Sequence, residues 1–296
     1  MSPRIKAHLG LLATNLFFAI NVSAIKYVTT SGFAGPYGLN VVRSGICVLL
    51  FWLMFLRKAD KRKIEKRDVV RFLLCALSAL AANQMLFMKG VSLTLPIHAS
   101  LLLLITPILI TFIAAWVLKE SITVPRLIGL FLGVAGACIL VLSGSATNQA
   151  NDIITGDLLI IISTVLYTFY FILVKPLMQK YSTMDVMRWV FTFGFIMILP
   201  LGWNEFVVIP WSDYGPNEYL LLFMIVVPGT FLAYIFNAYG IKKLSASTAG
   251  AYIYSQPVFS VVIATLFLNE SLELYKIIAG VVIFTGVYIA NKQGKK

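Results

Sequence analysis

The sequence predicts an all-α integral membrane protein of about ten transmembrane helices, arranged as two five-helix repeats with the second inverted relative to the first. Three observations predict it. Hydrophobic residues make up 59% of the 296-residue chain and charged residues 12%, too apolar a balance to be hidden in one soluble core of this size. The charges cluster and leave apolar runs of roughly 20 residues, the length a helix needs to cross about 30 Å of hydrocarbon. One pattern also occurs twice. Pro107 and Pro257 each stand inside a long apolar stretch, and each is followed by a Glu-Ser pair, Glu120-Ser121 and Glu270-Ser271. Gly90/Gly240, Ala99/Ala249, Leu118/Leu268 and Gly136/Gly286 keep the same offset of 150 residues, so an architectural unit is repeated at half the chain length.

Taken in order, the expected spans of the first half are 7–28, 36–56, 70–88, 97–118 and 124–142. Those of the second half are 154–174, 187–203, 219–239, 247–268 and 274–290. The first run is too long for the apolar core of a cleaved signal and lacks a small-residue cleavage site, so it reads as a retained helix. The stretch from Ser143 to Asp152, rich in Ser, Asn, Gly and Ala, joins a first repeat over 1–145 to a second over 146–296.

Lys and Arg then orient the bundle, because they concentrate in cytoplasmic loops. Arg4 and Lys6 lie at the N-terminus. The loop after the second span holds Arg57, Lys58, Lys61, Arg62, Lys63, Lys66, Arg67 and Arg71. Further basic residues fall in the other even-numbered loops and the tail, as Lys119, Arg126, Lys175, Lys180, Arg188, Lys242, Lys243, Lys292, Lys295 and Lys296. The odd-numbered loops hold Lys89 and Lys276. Both termini are therefore expected in the cytoplasm, with the chain in the cell's inner, plasma membrane. The net charge of +12 is accounted for by topology and by anionic lipid at the cytoplasmic face; no domain is left to bind nucleic acid. Five spans per half is an odd number, so the second half enters from the opposite side, which is the inverted-repeat plan of carriers.

The mid-span prolines, their spacing to Glu-Ser and the Gly-rich helix Ile128-Gly129-Leu130-Phe131-Leu132-Gly133-Val134-Ala135-Gly136 resemble the drug/metabolite transporter superfamily, EamA type. Phe18 to Val22 with Lys26, followed by Arg43 in the second span, is similar to the opening pattern of that family. The second half lacks a counterpart of Arg43. The resemblance implies a ten-helix inner-membrane carrier, commonly an exporter of amino acids or other small metabolites, working by alternating access.

The residues themselves suggest where a solute would sit. A proline removes one helical hydrogen bond and crowds the carbonyl four residues earlier, so Pro107 and Pro257 are expected to kink their helices and free the carbonyls of Leu103 and Ile253 near the midplane. Free backbone at that depth must face protein or a wet cavity. Thr106 and Gln256 precede the two prolines. Tyr234 and Asn237 share a stripe with Thr230; Tyr167 and Tyr170 share one with Ser163; Tyr252 shares one with Thr248 and Ser255. Asn83 and Gln84 lie in the third span and Asn21 in the first. Polar groups in lipid point inward, so this set lines a substrate site or, alternatively, bonds helices together at about 0.6 kcal/mol each.

Every Asp and Glu falls in a loop or near a helix end, which favours neutral, zwitterionic or weakly anionic solutes over cationic drugs. Arg43 either binds a substrate carboxylate or snorkels and pairs with backbone carbonyls. A titrating coupling residue would have to be His98. Glu120 and Glu270 should lie on opposite faces of the membrane and serve as caps or gates, not as an acid-base pair. Gly129, Gly133 and Gly136 form a face for close helix packing, or for a homodimer contact. Cys47, Cys75 and Cys138 lack the spacing of a metal site or disulfide, and neither metal nor cofactor is expected. The expected partners are a small-molecule substrate and membrane lipid. The alternatives are an integral membrane enzyme, a transferase or intramembrane protease, which would need a Ser-His pair or clustered acids, and a proton-coupled multidrug exporter.

Overall fold

A computed structural model describes residues 2–56, 64–93, 102–142, 152–267 and 274–291. Among these residues the chain forms ten helical rods and no strand: α1 (Pro3–Thr30), α2 (Pro36–Leu56), α3 (66–93), α4 (Ile105–Leu118), α5 (Val124–Leu142), α6 (Ile153–Lys180), α7 (Thr183–Val207), α8 (Pro216–Lys243), α9 (246–267) and α10 (Leu274–Asn291). Five stretches, Pro36–Met54, Lys66–Gly90, Ile153–Lys180, Thr183–Val207 and Pro216–Lys243, are long and apolar enough to cross a membrane. Ile105–Leu118, Val124–Ile139 and Leu274–Ala290 are shorter apolar helices. The chain is an all-α multi-pass membrane protein.

The helix ends follow capping chemistry more than the charge pattern alone suggests. Lys175, Lys180 and Arg188, expected in a loop, lie within α6 and α7. The α6 helix runs on through Pro176, and Ser182 caps α7 by accepting from the Asp185 backbone N–H. Arg188 is buried against the Trp52 ring, 4.7 Å from its centroid, and pairs with Asp185 at 3.3 Å. Its burial beside an aromatic face and a carboxylate is how a charge is kept inside a bundle.

Two of the rods change their winding midway. Leu77–Ala81 in α3 and Val227–Leu232 in α8 are π-helical, a geometry that inserts one extra residue into the turn and disturbs the regular ladder. Their first residues lie 150 positions apart.

The prolines act differently from the expected mid-helix kinks. Leu104 forms a turn, and Pro107 is the third residue of α4, which starts at Ile105. In α9, Ala246–Ala251 is followed by a 3-10 turn, Tyr252–Tyr254, and Pro257 is the third residue of the helical segment Ser255–Phe267. A proline in a first turn has no intrahelical acceptor to lose. Each proline therefore opens a new helical segment after a break instead of bending a continuous one. The break carbonyls are partnered: Leu104 O accepts from the Tyr254 hydroxyl at 3.3 Å, and Tyr252 O from the Ser255 hydroxyl at 2.6 Å.

The glycine face of α5 is taken up inside the chain. A methyl on Gly129 would lie 2.5 Å from Gly286 O, and one on Gly136 would lie 2.9 Å from Ala279 O. The glycines let α5 and α10 pack backbone to backbone.

Candidate substrate site

A buried polar network is built where α2, α3, α6 and α8 converge. Arg43 on α2 is 5% exposed, and its Nη2 donates to Asn40 Oδ1 at 2.6 Å and to Gln84 Oε1 at 3.0 Å. Gln84 Nε2 donates to Asn83 Oδ1 at 3.2 Å, and Asn83 Nδ2 to the Ser163 carbonyl at 2.8 Å. The chain of bonds that starts at Arg43 thus runs from α2 through α3 to α6. Arg43 bonds neutral side-chain amides, not backbone carbonyls, and it does not snorkel to the surface.

Tyr234 on α8 lies against Gln84 and within electrostatic reach of Arg43 and Tyr167. Its hydroxyl donates to Ala79 O at 3.2 Å, a carbonyl inside the π-helical turn of α3. Its ring is edge-on to Phe18 and Phe191, an arrangement that locks the side chain in place. On α6, Tyr167 accepts from Asn237 Nδ2 at 3.4 Å, and the Tyr167 and Tyr170 rings stack with centroids 6.0 Å apart. The Tyr170 hydroxyl is buried without a partner. Gln84 and Tyr167 keep partial exposure while the residues around them are buried.

The structure brings Arg43, Asn83, Gln84, Tyr167, Tyr170, Tyr234 and Asn237 into this one network. Asn21 lies beside it: its Nδ2 donates at 2.9 Å to Gly229 O, in the π-helical turn of α8, and its Oδ1 is buried without a partner. Tyr252 is elsewhere, on the 3-10 turn of α9, with its hydroxyl 2.7 Å from His8 Nδ1 on α1. Thr106 and Pro107 are buried at the start of α4. Gln256 and Pro257 are half-buried on α9, and no described contact joins them to the Arg43 network. A groove of about 610 Å³ between α9 and α10, lined by Val258, Val262, Lys276, Gly280 and Phe284 among others, is apolar and separate from it.

Two residues of these pairings were not singled out from sequence. Asn40 stands three positions before Arg43, a spacing that puts both on one helix face, and that was the available signal. His8 meets a partner 244 residues away, and no local pattern announces it. His98 and the Glu270-Ser271 pair lie outside the described residues.

Glu120 does what helix-end acids do. Lys119 adopts a left-handed turn at φ 55°, and the Glu120 carboxylate beyond it accepts from Ala246 N–H at 2.8 Å, Ser247 N–H at 3.2 Å and the Ser247 hydroxyl at 2.8 Å, capping α9. Lys175 Nζ donates to it at 2.9 Å. Burial resists ionisation, but Lys175 and the α9 donors outweigh it and hold the Glu120 carboxyl below its ordinary range. At the opposite end of the bundle Glu205 accepts from Tyr37 N–H at 2.7 Å and Gly38 N–H at 3.0 Å, capping α2.

The model of the EamA-like transporter family matches residues 5–142 and again 154–292. The chain belongs to the EamA-like transporter family. An uncharacterized transporter of Archaeoglobus fulgidus is 26% identical over 290 residues, covering 97% of each chain. A probable terminal-alkyne amino-acid exporter of Streptantibioticus cattleyicolor is 24% identical over 235 residues, covering 78% of this chain and 76% of that one. A solved crystal structure superposes with a TM-score of 0.80 at 17% identity, covering 97% of each chain, which shows a shared fold. Among the described residues no group of His, Cys, Asp and Glu is gathered as metal ligands.

Proposed function

We propose that this EamA-like protein is an inner-membrane exporter of small metabolites such as amino acids, working by alternating access between two inverted five-helix halves, with both termini in the cytoplasm. It is not an enzyme in this reading. The observation that carries it is the Arg43 network, a buried polar and aromatic set supplied jointly by α2 and α3 of the first half and α6 and α8 of the second. A site shared between halves is what rocking of one half against the other would expose first to one side and then to the other.

Several features support the inverted pairing. Residues 150 positions apart meet directly at Leu104 and Tyr254, as expected of equivalent positions close to a pseudo-twofold axis. Ion pairs join the halves at one end of the bundle. Glu120 binds Lys175 there, and Asp68 binds Lys180 at 2.6 Å. Opening toward that end, the basic and cytoplasmic one in this reading, would break those pairs. The amino-acid class of solute is favoured by the likeness to the Streptantibioticus exporter and by a site of amides, phenols and a guanidinium, groups that suit zwitterions.

The test is a metabolite comparison of medium from cells with and without the gene, followed by binding of each enriched solute to the purified protein. Enrichment of one or a few small solutes that also bind is expected. Unchanged medium across growth conditions would refute export.

A further inference from the structure

We propose that Arg43 is the carboxylate-binding residue of the site, so that the transported solute carries a carboxylate anion, as a zwitterionic amino acid or a simple organic acid does. This rests on the transporter reading and assigns its substrate class.

Four observations carry it. First, Arg43 stands seven residues into α2, about 10 Å below the helix start at 1.5 Å per residue, and is 5% exposed. Second, both of its hydrogen bonds leave from Nη2 and end on neutral amides, Asn40 Oδ1 and Gln84 Oε1. Its planar fork offers further N–H donors suited to a carboxylate. Third, no described carboxylate forms an ion pair with it: Glu120 is held by Lys175, Asp68 and Glu65 by Lys180, Asp185 by Arg188, and Glu205 by the start of α2. A buried charge without a counter-ion is costly, and proteins ordinarily pair it.

Fourth, the donor set beside Arg43 is incomplete in the same sense. Asn40, 1% exposed, gives its Oδ1 to Arg43 and leaves its Nδ2 buried with no acceptor. A carboxylate against the free edge of the guanidinium would neutralise the charge and supply oxygen acceptors to Asn40 Nδ2. An Asp at position 40 would neutralise Arg43 with one changed atom. Asn leaves the charge for the solute.

The test uses the full-length protein in lipid nanodiscs, with thermal unfolding followed against a panel of amino acids, the matched amino-acid amides and the matched amines. At least one carboxylate is expected to raise the Tm, with its amide and amine about thirtyfold weaker or more, the scale on which a buried charge pair responds to loss of one partner. Arg43→Gln should abolish that response. Should Arg43→Gln fail to fold, Asn40→Asp gives an independent reading: it is expected to raise the Tm of the unliganded protein and to remove stabilisation by the carboxylate. An amide that binds as well as its acid, a carboxylate response that survives Asn40→Asp, or no response to any carboxylate would each overturn the assignment. A neutral solute exported at the same rate by cells carrying wild type and Arg43→Gln would overturn it while leaving the transporter reading intact. Unchanged medium in the comparison described above is the separate result that fails the transporter reading itself.

Discussion

The π-helical turns Leu77–Ala81 and Val227–Leu232 are the same backbone device used for different clients. In each, a carbonyl at the matching position, Ala79 or Gly229, is turned to a side-chain donor from another helix. Ala79 O receives the Tyr234 hydroxyl from α8, and Gly229 O receives the Asn21 amide from α1. Both contacts run between the two stretches matched by the family, and the first does so through a residue of the polar network. The second holds α1 against α8 and leaves the Asn21 oxygen free of partners. The two turns thus share a backbone geometry and differ in the chemistry each serves. Arg43, which lacks a counterpart in the second half, belongs to that asymmetry.

The glycine gives the largest handle on this contrast. At position 79 an alanine methyl is already accommodated, whereas a methyl on Gly229 would lie 2.7 Å from Asn21 Cγ and 2.9 Å from Met224 O. Gly229→Ala should therefore destabilise by about 1–3 kcal/mol through overpacking, read as a fall in Tm, while Ala79→Gly should cost only about 1 kcal/mol. Equal costs at the two positions would dissolve the distinction.

Acid sensitivity should map to the end of the bundle, not to the two turns, because neither the Tyr234 nor the Asn21 bond holds a group that titrates in acid. The Glu120 carboxyl is held below its ordinary range, so its stabilisation is complete above about pH 4.3 and is lost as pH falls through the lower folded value. Glu120→Gln should lower the Tm at pH 7, and the gap to wild type should close on acidification. A gap that stays constant down to pH 3 would contradict the assignment.

Smaller effects separate the two donors. Tyr234→Phe keeps the ring but leaves Ala79 O without its donor, and should cost about 1 kcal/mol while cutting transport, because the hydroxyl is the polar group Tyr234 brings to the network. Asn21→Leu should cost about 0.6 kcal/mol, the average for an interhelical bond in lipid. If Asn21→Leu instead proves the more damaging to stability, the roles given to the two turns are reversed.

Much of the frame was legible in the sequence because it depends on gross patterns. Apolar runs of membrane-crossing length and clustered charges announced the rods, and ten are seen among the described residues. Gly129 and Gly136 announced a close helix contact, now placed against α10. The polar contacts of the candidate site were legible in part. Stripes such as Tyr234 with Asn237 held because both ends face inward, but the expected centre at the prolines did not account for the contacts. Proline acts on the turn before it, so the breaks fall at Leu104 and at Tyr252–Tyr254, and the latter swings Tyr252 to His8. The π-helical turn of α3 leaves no composition signal, since Leu77-Ser-Ala-Leu-Ala is ordinary helical sequence, whereas the turn of α8 carries the helix-breaking pair Pro228-Gly229.

Counterflow in proteoliposomes shows whether the network around Arg43, Gln84, Tyr167, Tyr234 and Asn237 holds the transported solute. An exported solute is loaded inside, and entry of its labelled form is timed for wild type, Asn237→Leu, Gln84→Leu and, as a control in the separate apolar groove, Val262→Ala. The account predicts at least about a tenfold fall in initial rate for the two network variants, one factor of ten corresponding to 1.4 kcal/mol, with the groove variant unchanged. Folded network variants that exchange solute at the wild-type rate would contradict it.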